Sequence, residues 1–253
     1  MLKENFEVVL ADDEWSRRLH YQLRYRVFCL ETGYEDATAF PGGEEKDQWD
    51  DQAVHFLVRE RGSKQWVAAM RMVFPGDNGL PIETRTTIED DFRAPADHVM
   101  EISRLCMVGH YRCRSPGQVS GETPSPLATV SAEGVIGVAP SELRKRLRTA
   151  EILRALLDAA VSYSHEAGIK HWYMFITKAL SKVIAHVLPL ELRQVGQPAW
   201  HRGERYPFLV NVDHLFEQFT QSILGDTMAE RRSAFQLHSE LVASTMPRAV
   251  GAM

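Results

Sequence analysis

The apolar and polar positions along the chain follow two periods, one for strands and one for helices. "FEVVLA" (6–11) and "AVHFLVRE" (53–60) read as strands. Between them, "DDEWSRRLHYQLRYRVFCLET" (12–32) places Trp15, Leu19, Leu23, Val27 and Leu30 at helical spacing, with Asp12 or Asp13 as cap and Gly33 as stop. "RGSKQ" is turn chemistry, and "WVAAMRMVFP" (66–75), ended by Pro75, returns as the second strand of an antiparallel hairpin. A helical turn in "TIEDDF" leads to a further strand, "HVMEISRLCMV" (98–108). Residues 114–140 carry Ser, Pro and Gly without a period and read as a flexible insertion. A long helix follows over 141–168, opened by Ser141 and closed by Gly168. The near-continuous apolar run 169–177 is a strand, 178–188 a short helix ended by Pro189, and "ELRQVGQPAWH" and "RYPFLVNVD" supply two last strands.

This order predicts an α/β (α+β) domain over 1–214, with a central mixed, mostly antiparallel sheet and helices on both faces. A C-terminal helical tail occupies 215–253. The 253 residues suffice to bury a sizeable core. A net charge of -5 argues against a nucleic-acid partner. The three cysteines, Cys29, Cys106 and Cys113, form no CxxC pair, which fits a reducing cytosol. No His/Cys/Asp spacing points to a metal. The acidic N-terminus does not read as a signal peptide, and no apolar run is long enough for a membrane span. The expected location is the cytoplasm.

Candidate chemistry sits where charge interrupts these segments. "EEKDQWDDQAVHFLV" (44–58) crowds five carboxylates into eight residues directly before a strand. Asp47 and Asp50 are read as holding a cationic amine or locking Arg24 and Arg71 into a network. Glu44, Glu45 and Asp51 are read as solvated turn. Glu101 interrupts an apolar strand, where a carboxylate is costly unless paired or functional. It is a base, an anchor for a substrate ammonium, or a partner of Arg104 or Arg71. Strict alternation puts Glu101 and Arg104 on opposite faces, and a bulge would reconcile them. Arg24, Arg71 and Arg104 lie at apolar positions; their forks suit an acceptor's carboxylate or tie down the acids. His55, beside Phe56, is a satisfied core histidine or a substrate contact. Met70, Met72, Met107, Met174 and Phe175 line a chain-length pocket or are plain core.

The ordered set "LRYRVF" (Arg24 to Phe28), "EKDQWD" with Asp47 and Asp50, "AAMRMVFP" with Arg71, and "MEISRLCM" with Glu101 and Arg104 resembles the acyl-homoserine-lactone synthases and the N-acyl amino acid synthases, of the GNAT-type fold. Most similar are the acyltransferases associated with the PEP-CTERM/exosortase system. They share an "E-x-D-x-x-D-x-x-A-x-H" stretch, here Glu45 to His55, and a late segment matched by "WHRGERYPF" (200–208). The resemblance spans roughly residues 6–212 and implies a GNAT-like N-acyltransferase fold. The implied reaction moves a fatty acyl group from acyl-carrier protein or acyl-CoA to the amine of an amino acid or similar small molecule, with no bound cofactor.

The resemblance assigns Arg24, Phe28, Asp47, Asp50, His55 and Arg71 to substrate binding, and Glu101 and Arg104 to catalysis. His201 and Tyr206 stand where this fold often keeps a general acid. Tyr34 occupies the place of a tryptophan in the lactone synthases, which turns the reading away from adenosylmethionine. No glycine-rich pyrophosphate cradle precedes the long helix, which favours a carrier protein as donor. Arg144, Lys145, Arg146 and Arg148 gather in the helix's first turns, where the dipole disfavours cations. With Lys178 and Lys182 they form a docking patch for an acidic carrier protein, or a solvated face. Two alternatives stand beside this reading: a lactone synthase using adenosylmethionine, and a non-catalytic lipid-binding or regulatory protein.

Overall fold

The structure, a computed structural model, describes residues 5–112, 140–188, 190–213 and 215. The flexible insertion expected over 114–140, save its last residue, and the tail expected over 215–253, save Leu215, lie outside the described residues. The strands are β1 (Phe6–Leu10), β2 (Ala53–Glu60), β3 (Trp66–Val73), β4 (Val99–Met107), β5 (His171–Ile176), β6 (Leu192–Gln194), β7 (Ala199–Trp200) and β8 (Glu204–Asn211). They pair in the order β1-β2-β3-β4-β5-β8-β6, with β7 attached to β8. Every pairing is antiparallel except β4 with β5.

A parallel neighbour needs a crossover connection. The long helix α2 (Pro140–Glu166) lies between β4 and β5 in the chain and supplies it. A crossover helix runs back against its strands. The start of α2 therefore lies at the C-terminal ends of β4 and β5, where α3 (Lys178–Val187) also begins. The parallel pairing covers only Val99–Ile102 against His171–Met174. Beyond it β4 continues with β3 alone and β5 with β8 alone, so the sheet forks.

Alternation sorts β2, β3 and β4 into two faces. Phe56 and Met70, opposite each other in register, face α2, where Tyr163 meets Phe56 edge-on at 5.9 Å. With Met72 and Met100 they join Ile152, Leu153, Leu156 and Ala160 in the main apolar core. His55, Arg71 and Ser103, also in register, take the other face beneath helix α1 (Glu14–Tyr25). Helices thus cover both faces, as expected.

The first helix departs from its expected apolar stripe. Asp13 caps it, accepting from the Ser16 amide at 2.7 Å, but Trp15 and Leu30 are 65% and 64% exposed. The buried face carries Ser16, His20, Leu23 and Arg24. After Tyr25 the chain winds as a π-helix, Arg26–Glu31. The wider turn shifts the register, so Leu30 swings outward while Val27 stays in the core.

The link between β6 and β7 packs against the loop that follows β3. The Glu89 amide donates to the Val195 carbonyl at 3.0 Å, and the Thr86 hydroxyl to the Gln197 carbonyl at 2.8 Å. A Cβ at Gly196 would stand 2.3 Å from the Thr87 carbonyl oxygen. Gly196→Ala should therefore destabilise the fold by about 1–3 kcal/mol, read as a Tm lower by several degrees. An unchanged Tm would show that this loop packing is not rigid.

Candidate functional site

The acidic stretch before β2 folds inward because cations from three separate elements meet it. Arg24 of α1, fully buried, donates Nε to Glu45 at 2.5 Å and both terminal nitrogens to Asp50, at 2.5 and 3.1 Å. Arg71 of β3 donates to both oxygens of Asp47, at 2.5 and 3.0 Å, lies 2.8 Å from Asp50, and donates Nε to the Ser103 hydroxyl at 3.1 Å. Arg104 of β4 donates to Glu45 at 3.1 Å and to Asp47 at 2.8 Å. Three guanidiniums face three carboxylates, so the cluster is charge-balanced.

Asp50 is the hub. Burial alone would raise its pKa, but the bond from His55 Nε2, 3.0 Å away, and the Arg24 and Arg71 charges hold it well below the usual carboxylate range. Burial pushes His55 below its ordinary value despite that bond, so the neutral ring donates to Asp50. Trp49 between the two acids is buried, and its indole donates to the Asn78 carbonyl at 3.3 Å. Glu45, expected in solvent, is completely buried. Glu44 and Asp51 do stay at the surface, paired with Arg18 and Lys46.

β4 contains the bulge that alternation demanded. Arg71 pairs with Ser103 and Ala69 with Cys106, so Arg104 and Leu105 together oppose Met70. Arg104 adopts φ 50°, the left-handed region that side chains rarely enter. The extra residue returns Arg104 to the face of Glu101 and Ser103. Glu101 nevertheless takes no part in the ion cluster. Among the described residues no cation is paired with it, and its Oε2 accepts the Ile82 amide at 2.7 Å. Burial outweighs that bond and the more distant Arg71 and Arg104 charges, and pushes its pKa up to about 8.

A cavity of about 560 Å³ opens in the fork of the sheet. Phe28, Asp47, Arg71, Glu101, Arg104 and His201 line it, together with apolar Ile102, Leu105, Met174, Phe175 and Leu180. Six of the expected site residues are thus brought together. Arg24, Asp50 and His55 lie underneath as supports. Tyr206 stands apart from the lining; its hydroxyl donates to Glu204 at 2.5 Å, and Lys178 sits 4.3 Å over its ring. Met70, Met72 and Met107 are core residues. Burial, and then the charges of Arg85, Arg202, Arg205 and Arg104, press the pKa of His201 down to about 4, so the imidazole is neutral at neutral pH.

Sequence reasoning missed Glu45 and also Glu35, which pairs with Arg202 and lies 3.6 Å from Arg104. It missed Arg85 and Arg205 on the cavity wall as well. Of the expected docking patch, Arg148 pairs with Glu60 at 3.1 Å and Arg146 lies 3.9 Å from Glu142; Arg144, Arg146, Lys178 and Lys182 are exposed and Lys145 is half-buried. Among the described residues no cluster could hold a metal, and no helix is long and apolar enough to cross a membrane.

Residues 23–118 match the family described as "Acetyltransferase (GNAT) domain". That span contains every residue from Arg24 to Arg104 discussed above. A CoA-dependent acyl-homoserine lactone synthase, BjaI, solved with SAM and isopentyl-CoA, shares the fold at 17% identity, covering 87% of this chain and 89% of its own, with a TM-score of 0.56. The AHL synthase LasI is similar at 16% identity over 83% and 91% of the two chains, TM-score 0.51. FeeM, an N-acyl amino acid synthase from uncultured soil microbes, aligns at 11% identity over 82% and 91%, TM-score 0.49. A search of curated proteins found no match. The sheet and the matched segment give this chain a GNAT-like fold.

Removing one partner from the buried cluster leaves an uncompensated charge. Arg24→Gln should cost about 3–5 kcal/mol in urea unfolding, because Glu45 and Asp50 stay buried without their main cation. The sign with pH follows from the depressed Asp47 and Asp50. Their stabilisation is present above the ordinary aspartate pKa and disappears as pH falls through the folded values. Arg24→Gln should also remove much of that dependence; equal acid sensitivity in the variant would refute the role given to the cluster.

Proposed function

We propose that this protein is an N-acyltransferase that moves a fatty acyl group from a thioester to the amine of an amino acid or similar acceptor. Glu101 carries the reading. It is a buried carboxylate without a cationic partner among the described residues, facing a cavity in the fork of the sheet, with one oxygen fixed by a backbone amide and its pKa near 8. Such a group accepts the proton of a substrate ammonium, directly or through water. The freed amine attacks the thioester carbonyl, the C–N bond forms, the C–S bond breaks, and the sulfur leaves as thiol after taking up a proton. The matched acetyltransferase domain supports acyl transfer as the reaction class. Met174, Phe175, Leu180 and Leu105 offer an apolar wall for an acyl chain.

A carrier protein is the proposed donor. Arg144, Lys145 and Arg146 stand in the first turns of α2, and Lys178 and Lys182 at the start of α3. The N-terminal end of a helix disfavours cations, and an external anionic partner accounts for their accumulation there. The ordered motifs further link the chain to acyltransferases of the PEP-CTERM/exosortase system, and the reading places the reaction in the cytoplasm.

The direct test is incubation with acyl-carrier protein or acyl-CoA and a panel of amines, followed by mass spectrometry for a new amide. Release of methylthioadenosine from adenosylmethionine would instead identify lactone synthesis, and absence of any turnover would refute the proposal. Glu101→Gln should lower kcat by roughly 10²–10⁴. Wild-type kcat/KM should rise with pH towards about 8, and the variant should lose that limb. The stability effect has the opposite sense. A carboxyl with a raised folded pKa binds more protons folded than unfolded, so its cost grows from pH 4.5 to about 8. Glu101→Gln should therefore be more stable than wild type at pH 8 and lose that advantage near pH 4. In the patch, Arg144→Glu with Arg146→Glu should raise KM for acyl-carrier protein about tenfold at low salt and leave acyl-CoA unaffected. Equal effects on both donors would argue against docking.

A further inference from the structure

Six arginines line the cavity, Arg71, Arg85, Arg104, Arg112, Arg202 and Arg205, against three carboxylates, Glu35, Asp47 and Glu101. The excess is not uniform. Arg71 and Arg104 are held by Asp47, Arg202 by Glu35, and Arg112 lies 3.7 Å from Glu31. Arg85 and Arg205 have no carboxylate partner among the described residues. Arg205 donates Nε to the His201 carbonyl at 2.7 Å, which fixes its stem and leaves the terminal nitrogens to the cavity. Burial, with the nearby Arg202 and Arg104 charges, pulls this guanidinium below its ordinary value. Arg85 follows the turn Pro81–Thr84, and its amide donates to the Ile82 carbonyl at 2.9 Å. The Ile82 amide in turn holds Glu101. The turn that fixes the candidate base thus also positions an unneutralised cation. Both charges, of Arg85 and Arg205, press on His201, which shares the cavity wall with them.

We propose that Arg85 and Arg205 bind the carboxylate of the acceptor and so direct its amine towards Glu101. This rests on the acyl-transfer reading and narrows it to acceptors that carry a free carboxylate. A guanidinium fork suits a carboxylate because it presents parallel N–H groups to the two oxygens. The phosphates of CoA would present the same anionic chemistry, but the arginines share the face of Glu101, on which the amine must arrive.

The test uses calorimetric titration of the full chain with N-dodecanoylglycine and with its primary amide. Wild type should bind the acid at least about tenfold tighter, as charge-assisted hydrogen bonds imply. Arg85→Gln/Arg205→Gln should bring the two ligands to within about twofold. Arg85→Gln alone, at an exposed position, should fold normally and still lower the preference. Equal binding of acid and amide by wild type, or an undiminished preference in either variant, overturns the inference. So does weakened binding of dodecanoyl-CoA with the acid preference intact, which would give the arginines to the donor's phosphates. None of these readouts needs turnover. A wild type that prefers the acid yet forms no amide would sink the acyl-transfer reading and leave the carboxylate site standing.

Discussion

The buried ion cluster is the constraint on which the rest of this structure hangs. Arg24, Arg71 and Arg104 come from a helix and two strands, and Glu45, Asp47 and Asp50 from one short loop. Taking six charges out of water is unfavourable unless each finds a well-placed partner. Here nearly every oxygen is met, and the bidentate forks fix direction as well as distance. The loop therefore has few places to be, and with it α1 and the sheet beneath. An apolar cluster of the same volume would hold these elements together, but it would not orient a carboxylate and two guanidiniums into a cavity wall.

Glu101 matters because it is excluded from that balance. Glu101 stands outside the three satisfied pairs, and burial outweighs the Ile82 bond and pushes its pKa up to about 8. The single amide at Ile82 restrains one oxygen and leaves the other oriented by the cavity. On the proposed function, that cost in stability serves proton exchange near neutral pH.

The element order was legible because the strand and helix periods survive in almost every segment. The need for a bulge was legible too, since Glu101 and Arg104 sit three residues apart on one strand and cannot otherwise share a face. Glu45 was not legible. A carboxylate in an acidic loop looks solvated until Arg24 and Arg104 arrive from 21 residues before and 59 residues after it. Trp15 and Leu30 misled for the converse reason: helical spacing marks an apolar stripe, but α1 buries its polar residues and a π-helix shifts its end. The cationic character of the cavity escaped because its arginines come from segments that carry no period in common.

The bulge and the fork depend on each other. In an uninterrupted β4 the Arg104 side chain would turn towards α2, placing a cation in the apolar layer of Met70, Met100 and Leu156 and leaving Glu45 and Asp47 short of one charge. The left-handed backbone at Arg104 is itself unfavourable by about 1–2 kcal/mol for a residue with a Cβ. Ion pairs to Glu45 and Asp47 offset that strain, so the conformation is held from outside the strand. The same irregularity lies just past Ile102, where β4 and β5 cease to pair. Strand separation there lets Ile102, Leu105 and Met174 share one cavity with Asp47, Arg71 and Glu101. The proposed reaction would use that arrangement, because an acyl chain seeks an apolar wall while the nitrogen that attacks the thioester must be held, deprotonated and aimed from a polar one.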